Sequence, residues 1–363
     1  MIRVLQIVTY MGRGGLETMI MNYYRNIDRN KVQFDFLVHR QEEADYDKEI
    51  LSLGGHIYRM PMLNPFSKSY FNALDSFFKT HMYDIVHSHL DCMSAYPLKI
   101  AKKNGVKIRI AHSHNKSQDK NLKYPIKLYS KRLIPKYATH LFSCGKEAGD
   151  WMFNGKPYTI LNNAIDAMIY RYNPKIQDEI RNSLDINHSD FVVGHVGRFN
   201  PQKNHGFIID VFNEIYKKNN KAKLILVGTG NGQLEIINKV NNLGLTDNVL
   251  FLGNRSDVNR VLQAMDVFLF PSLYEGLPLS IVEAQAAGLP CVISDNVPPE
   301  CIKTNRVSHY SLDKPAKFWS EKVFEAAQIE KKDTYDEIVA SGFDIKNNAN
   351  KLQNFYTSFC YGE

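Results

Sequence analysis

Short apolar runs of strand length alternate with longer amphipathic segments along almost the whole chain. The segments 17–28, 69–80 and 92–103 have the apolar spacing of helices and separate the first of these runs. Such alternation predicts parallel sheets with helices on both faces. The predicted strands are VLQIVTY, VQFDFLV, DIVHSH, KIRIAH and HLFSC in the first half, and FVVGHVG, AKLILVG, NVLFLG, DVFLFP and PCVIS in the second.

A polar segment near 170–190 interrupts the alternation, which then begins again. The chain has 363 residues, more than the roughly 250 to 300 at which a single core usually stops growing. We therefore predict an α/β protein of two successive doubly wound domains, with the boundary between 168 and 169. Ligands of such sheets bind at the carboxyl ends of the strands, so a cleft lined by those loops is the expected binding site.

Composition places the chain among globular proteins, with 44% hydrophobic and 23% charged residues. No apolar stretch reaches the roughly 18 residues of a membrane span, and no signal-peptide pattern opens the sequence. We therefore expect a soluble, cytoplasmic protein. Its five cysteines are odd in number and form no CxxC pair, which argues against disulfides and zinc knuckles.

Positive charge is concentrated in the first part of the chain. Residues 1–165 carry 24 Lys or Arg against 14 Asp or Glu, and 99–136 carry 12 against one. No nucleic-acid-binding signature accompanies this basic segment, so we expect no nucleic-acid partner. Two readings stay open: a solvated lysine-rich helix, or a surface that rests on anionic lipid at the inner face of the cell membrane. Interleaved Tyr124, Leu128 and Tyr129 favour the second.

Glycine-rich loops follow two of the predicted strands. In YMGRGGLET, Gly14 and Gly15 precede a helix, an arrangement that suits an anion, although it is also common in ordinary turns. Gly228 lies in VGTGNGQ, which resembles a dinucleotide fingerprint. Because this loop follows a later strand and lacks a suitably spaced acid, we predict that it lines a nucleotide pocket and binds no nicotinamide cofactor.

Two cations follow the strand FVVGHVG in the loop RFNPQKN. Arg198 can act as a planar fork and Lys203 as a point charge, a combination suited to a diphosphate. Simple solvation at the surface is the alternative for both.

Two carboxylates stand in the otherwise apolar stretch YEGLPLSIVEAQAAGLP. Glu275 belongs to the loop and Glu283 to the short helix that follows, with Pro278 in the first helical turn. A carboxylate away from water needs a partner, and sugar or ribose hydroxyls can supply one. The amides of 276–280 open the helix and can meet an anion or hydroxyls.

The order of the motifs resembles that of the nucleotide-sugar glycosyltransferases of family 4. These are retaining enzymes with the GT-B fold, two Rossmann-like domains and a cleft between them. The resemblance spans almost the whole chain and rests on GRGGLE, DIVHSH, ILNNAID, VGRFNPQKN, VLFLG and the E-x7-E motif EGLPLSIVE.

That resemblance implies specific roles for the loop residues. Glu283 is expected to hold the ribose, and Glu275 the donor sugar. Arg198 and Lys203 are expected to bind the diphosphate. The remaining donor-binding residues implied are Gly14, Gly15, Gly228, Gly276, Leu277 and Pro278.

An active-site histidine is also implied, at the end of the strand IRIAHSH. This strand offers His112 and His114, and we favour His114 because it lies further beyond the strand. Together with Arg198, Lys203 and Glu275, these histidines form the predicted catalytic set.

The chemistry implied is transfer of a hexose or N-acetylhexosamine, with retention, from a UDP-linked sugar to a hydroxyl. No metal or other cofactor is expected. The DYD segment at 45–47 lies in an acidic stretch that reads as a solvated helix start. The first domain is expected to bind a lipid-linked glycan of capsule or exopolysaccharide assembly. Residues 343–363 are predicted to form a helix that returns to this domain.

Two other classes remain open at this point. A hydrolysing nucleotide-sugar 2-epimerase shares the fold and would be an isomerase. A catalytically silent partner subunit would be a scaffold, but it would not need Glu275, Glu283, Arg198 and Lys203.

Overall fold

In the computed structural model, residues 1–115 and 124–359 are described. The chain divides into two compact domains: Met1–Ala164 together with the segment that begins at Ile345, and Ile165–Asp344. These limits lie a few residues from the boundaries expected at 168 and 342. Each of the ten strands predicted above is present in one of two parallel sheets.

The first domain is built on a seven-stranded parallel sheet with the strand order β3-β2-β1-β4-β5-β6-β7. Its second strand, VQFDFLV, is buried at every position, as expected of a strand covered on both faces. The strands are β1 Ile2–Val8, β2 Val32–Val38, β3 Ile57–Arg59, β4 Ile85–Ser88, β5 Ile108–Ser113, β6 His140–Ser143 and β7 Thr159–Ile160; the helices are α1 Gly15–Asn26, α2 Asp47–Ser52, α3 Lys68–Thr80, α4 Ala95–Lys103, α5 Tyr124–Tyr137 and α6 Lys146–Phe153.

The second domain has a six-stranded parallel sheet with the order β10-β9-β8-β11-β12-β13. Its central strands β8 and β11 lie side by side, so their carboxyl ends meet at one edge. The strands are β8 Val192–Val196, β9 Lys223–Val227, β10 Val249–Phe251, β11 Val267–Phe270, β12 Cys291–Ser294 and β13 Val307–Tyr310; the helices are α7 Ala167–Tyr170, α8 Pro174–Ser183, α9 His205–Lys218, α10 Gln233–Asn242, α11 Val258–Val261, α12 Leu279–Ala286, α13 Ala316–Ala326 and α14 Tyr335–Ala340.

The last helix, α15 (Ile345–Ser358), belongs to the first domain. Its apolar side, with Ala349, Leu352 and Tyr356, joins the core cluster formed with β1, β2 and α1. A hydrogen bond from the backbone amide of Asp28 to the side chain of Gln353, at 2.8 Å, adds a polar contact.

Four of the five cysteines, Cys92, Cys144, Cys291 and Cys301, are free thiols, and Cys360 lies outside the described residues. Among the described helices, none is long and apolar enough to cross a membrane. The basic segment 99–136 is described except for 116–123.

Candidate active site

The loops after β8 and β11 are tied together at the carboxyl edge of the second sheet. The amide of Leu273 donates to the carbonyl of Gln202 at 2.9 Å, and the side chain of Gln202 donates to the carbonyl of Tyr274 at 3.0 Å. A third hydrogen bond runs from Asn204 to the carbonyl of Pro271, at 3.1 Å. These bonds hold the loop of Lys203 against the loop of Glu275.

Lys203 and Glu275 form an ion pair in which Lys203 Nζ lies 2.7 Å from Glu275 Oε1. Both side chains are largely withdrawn from water, with 15% and 6% exposed. The ammonium also lies 4.5 Å from the ring centre of Phe270. From the sequence, Lys203 was expected to contact the diphosphate and Glu275 the donor sugar. In the structure the two side chains also form an ion pair with each other.

Arg198 differs from Lys203 in having an exposed side chain. Among the described residues, no hydrogen bond or ion pair engages its guanidinium. The loop that carries it is fixed through the backbone, because the amide of Phe199 donates to the carbonyl of Thr229 at 3.0 Å. Arg198 is therefore a cation on a fixed loop, with all its donors available to a ligand.

Gly228 packs against this same loop. Its φ is +134°, and an added Cβ would lie 2.2 Å from the carbonyl oxygen of Gly197. The close approach of two strand ends thus accounts for this glycine. Its contact with a nucleotide stays a prediction.

Helix α12 begins at Leu279. Pro278, predicted to lie in the first helical turn, is instead the N-cap, one position before that turn. Gly276 is exposed, and an added Cβ there would meet open space. Within residues 1–115 and 124–359, no acceptor engages the backbone amides of Gly276 and Leu277. These amides and the helix N-terminus form a cluster of donors.

Glu283, in α12, accepts a hydrogen bond of 2.9 Å from the hydroxyl of Tyr170 at the end of α7. Desolvation raises the pKa of Glu283, and the bond from Tyr170 partly opposes that shift. Burial, together with the nearby carboxylate, raises the pKa of Tyr170 well above its usual value. Sequence reasoning missed Tyr170, because nothing in DAMIYRY marks one tyrosine as the partner of an acid 113 positions later.

In the first domain, His112 and His114 belong to a cluster of four histidines. His112 is buried on β5, and His114 follows that strand and is partly exposed. Their ring centres lie 4.1 Å apart. Burial lowers the pKa of His114 to about 3 and that of His112 well below its usual value, so both are neutral at neutral pH.

The amide of His114 donates to the carboxylate of Asp91 at 2.9 Å, which fixes the backbone as it leaves β5. Of the two candidate histidines, only His114 reaches the surface. Its role in catalysis stays a prediction.

Gly15 begins α1, and Gly14 is the N-cap. An added Cβ on Gly14 would collide with the carboxylate of Glu17, whereas Gly15 is exposed and faces open space. Their contact with a donor stays a prediction.

The DYD segment does begin a helix, but its description as solvated is wrong for Asp47. This side chain is buried and forms an ion pair of 2.6 Å with Arg59. Asp45 accepts a hydrogen bond of 3.1 Å from the amide of Arg13. Both carboxylates are therefore engaged within the fold.

Comparison with known proteins supports the same family. The model described as Glycosyltransferase Family 4 matches residues 13–167, and the model described as Glycosyl transferases group 1 matches 176–334. A putative glycosyltransferase of Bacillus subtilis, EpsF, is 35% identical over 98% of this chain and 96% of its own length. The chain belongs to the family 4 glycosyltransferases.

Two further relatives of this family 4 glycosyltransferase have more specific names. CapH of Staphylococcus aureus, a capsular polysaccharide biosynthesis glycosyltransferase, is 26% identical, with 99% of both chains covered. An Escherichia coli UDP-Gal:alpha-D-GlcNAc-diphosphoundecaprenol alpha-1,3-galactosyltransferase is 28% identical over 66% of this chain and 65% of its own.

Among solved structures, Anabaena HepE in complex with UDP aligns with the enzyme at a TM-score of 0.81 and 16% identity, covering 99% of this chain and 100% of the other. This likeness shows that the family 4 glycosyltransferase has the GT-B fold predicted from its sequence.

Proposed function

We propose that this enzyme transfers a hexose or N-acetylhexosamine from a UDP-linked sugar to a hydroxyl of a lipid-linked glycan, with retention of configuration, in the assembly of a surface polysaccharide. The observation that carries the proposal is the carboxyl edge of the second sheet. There the Lys203–Glu275 pair, the unengaged guanidinium of Arg198 and the donors that open α12 follow two adjacent strands. The names of CapH and of the E. coli enzyme support the polysaccharide, UDP and lipid-diphosphate parts.

Each group has a distinct task in this proposal. Arg198 and Lys203 bind the diphosphate and stabilise the negative charge that develops on it as the sugar leaves. Glu275 accepts hydrogen bonds from hydroxyls of the donor sugar, while the amides of Gly276 and Leu277 donate hydrogen bonds to that sugar. Glu283 accepts hydrogen bonds from the ribose hydroxyls, and its carboxylate is positioned by the hydrogen bond from Tyr170.

Retention follows if the acceptor hydroxyl attacks the face from which the phosphate departs. The departing phosphate oxygen then takes the hydroxyl proton, the bond from the anomeric carbon to phosphate breaks, and the bond to the acceptor oxygen forms on the same face. The anomeric configuration of the first product formed, read by proton NMR, tests this part.

Transfer is expected to be independent of divalent metal, because protein cations and helix amides supply the charge that a metal would otherwise supply. EDTA should therefore leave the initial rate unchanged. The measurement is the rate after chelation, with and without added Mg²⁺ or Mn²⁺. A rate that falls with EDTA and returns with either ion would show that this part of the mechanism is wrong.

The basic helix α5 is proposed to rest on anionic lipid near the acceptor. Leu128 and Tyr129 are exposed on it, and Arg132 and Lys136 lie on the same exposed surface. Each basic residue near such a surface adds roughly 1 kcal/mol of attraction.

Flotation with liposomes should therefore recover more protein with anionic than with neutral vesicles. The double change Arg132→Glu and Lys136→Glu should remove this preference, whereas Lys221→Glu, an exposed change in the second domain, should retain it. Equal recovery with anionic and neutral vesicles would mean that α5 is an ordinary solvated helix that does not bind lipid.

The epimerase alternative predicts interconversion of nucleotide sugars without an acceptor. The scaffold alternative predicts no turnover, and the buried Lys203–Glu275 pair disfavours it because desolvating two charges is costly unless they serve a purpose.

A thermal-shift screen of nucleotide sugars, followed by transfer to an undecaprenol-diphosphate glycan, tests the whole proposal. A ligand at 100 times its Kd adds about 2.7 kcal/mol of stability, so the true donor should stand out. If none of the UDP sugars raised the melting temperature, the assignment of a UDP-linked donor would be wrong. Product formed without an acceptor would favour the epimerase.

A further inference from the structure

The four histidines of the first domain come from two H-x-H pairs on neighbouring strands. His87 and His89 belong to β4 and the residue after its end, and His112 and His114 to β5 and the residue after its end. These strands are paired in parallel, with Ser88 opposite Ala111. Because side chains two positions apart share a face of a sheet, all four imidazoles lie on the same side.

Nitrogen atoms of these rings approach one another closely. Nε2 of His87 lies 3.1 Å from Nδ1 of His112, and Nδ1 of His89 lies 3.0 Å from Nε2 of His114. Nitrogens of His87, His89 and His112 all lie within 4.8 Å of one another. Two imidazoles on a tetrahedral Zn²⁺, with Zn–N of about 2.0 to 2.1 Å, have nitrogens about 3.3 Å apart. The spacing of His87 and His112 is close to that of two ligands in a metal site, and His89 would have to move closer to both on binding.

The outer nitrogens of two of these rings already have oxygen partners. Nε2 of His89 lies 2.9 Å from Oε1 of Gln6, and Nδ1 of His87 lies 2.7 Å from the hydroxyl of Tyr356. Ligating histidines in metalloproteins usually donate their second N–H to an oxygen in this way, which directs the other nitrogen at the metal. Gln6 and Tyr356 would therefore leave the inner nitrogens of His89 and His87 available as ligands.

One buried nitrogen of the cluster is unpartnered. Nε2 of His112 has no hydrogen-bond partner among the described residues, and the side chain is only 1% exposed. Such orphaned polar atoms are rare in native proteins and require an explanation. The cluster thus has more binding capacity than its internal hydrogen bonds use.

We propose that His87, His89 and His112 form a binding site for Zn²⁺ or a similar imidazole-preferring ion, with His114 beside the remaining coordination position. Three neutral nitrogens without a carboxylate favour Zn²⁺, Co²⁺, Ni²⁺ or Cu²⁺ over Mg²⁺ or Mn²⁺. The ion would hold β4 to β5 and, through Tyr356, to α15. It would act on the stability of the first domain and supply no charge to the leaving diphosphate.

The test is a titration of untagged, full-length, chelator-treated protein with Co²⁺, followed by visible absorption. A tetrahedral site should give intense bands that saturate at one equivalent and disappear when Zn²⁺ is added. Zn²⁺ should also raise the melting temperature. The His112→Asn variant should lose both responses. Tyr356→Phe removes the hydroxyl that contacts both His87 and Gln6 but no proposed ligand, and it should weaken binding by roughly 10 to 100-fold.

His309→Asn is the matched control, since His309 is exposed on β13 of the second domain, and it should bind as the wild type does. Circular dichroism checks that each variant is folded. If His112→Asn does not fold, the Co²⁺ titration of Tyr356→Phe serves as the test instead. The proposal is overturned if the wild type gives only the weak spectrum of hydrated Co²⁺, or if both variants keep the wild-type response. No sugar donor is used, so the outcome is independent of the proposed transfer reaction.

Discussion

Replacement of Lys203 by Ala is expected to lower kcat by roughly 10² to 10³-fold, the usual effect of removing one preorganised group that stabilises transition-state charge. The ammonium is held in place by Glu275 and the ring of Phe270, so it needs no rearrangement as charge develops on the diphosphate. Steady-state kinetics with both substrates measure the change. An effect confined to the KM of the acceptor would contradict the role given to Lys203.

The same variant should also lose stability, and this must be separated from the catalytic effect. Without Lys203 the carboxylate of Glu275, 6% exposed, is left unpaired, and breaking a buried pair in this way typically costs about 3 to 5 kcal/mol. The double variant with Glu275→Ala removes both charges and should recover much of the free energy of unfolding. If it also recovered turnover, the pair would be structural only.

Replacement of Glu283 by Ala is expected to weaken UDP binding by roughly 1 to 3 kcal/mol, the loss of hydrogen bonds to a charged group. Tyr170 donates to Oε1, and the other acceptor positions of the carboxylate are expected to receive hydrogen bonds from the ribose hydroxyls. Isothermal titration calorimetry with UDP gives the affinity directly.

Tyr170→Phe is the matched comparison, because it removes the same hydrogen bond to Glu283 but keeps the carboxylate. It should cost much less UDP affinity than Glu283→Ala. Equal losses in the two variants would mean that Glu283 only supports α7, and an unchanged affinity in Glu283→Ala would remove the ribose assignment.

The buried strands could be predicted from the sequence because burial on both faces favours continuous apolar runs, as in LILV of β9 and VFLF of β11. Three of the strands at the sheet edges, β3, β7 and β13, have no such run. β3 and β13 are short and only partly buried, and their residues IYR and VSHY carry no apolar run. Their positions therefore emerge only from the fold.

Loop placement was equally predictable, because strand order brings the ends of β8 and β11 to one edge. Side-chain partners were not. Lys203 and Glu275 are 72 positions apart, and their pairing depends on rotamers and on the hydrogen bonds between two loops. Sequence reasoning found both charges and the need for partners, but it could not determine that they meet each other.

The position of α15 has a consequence for how the chain is made. The second domain is one continuous segment, whereas the first takes its sheet from the beginning of the chain and one of its core helices from residues after 344. Domains generally fold as units during synthesis. The domain that leaves the ribosome first is therefore the one that must wait longest to be complete, and its buried His87 meets Tyr356 only after the intervening domain has been synthesised.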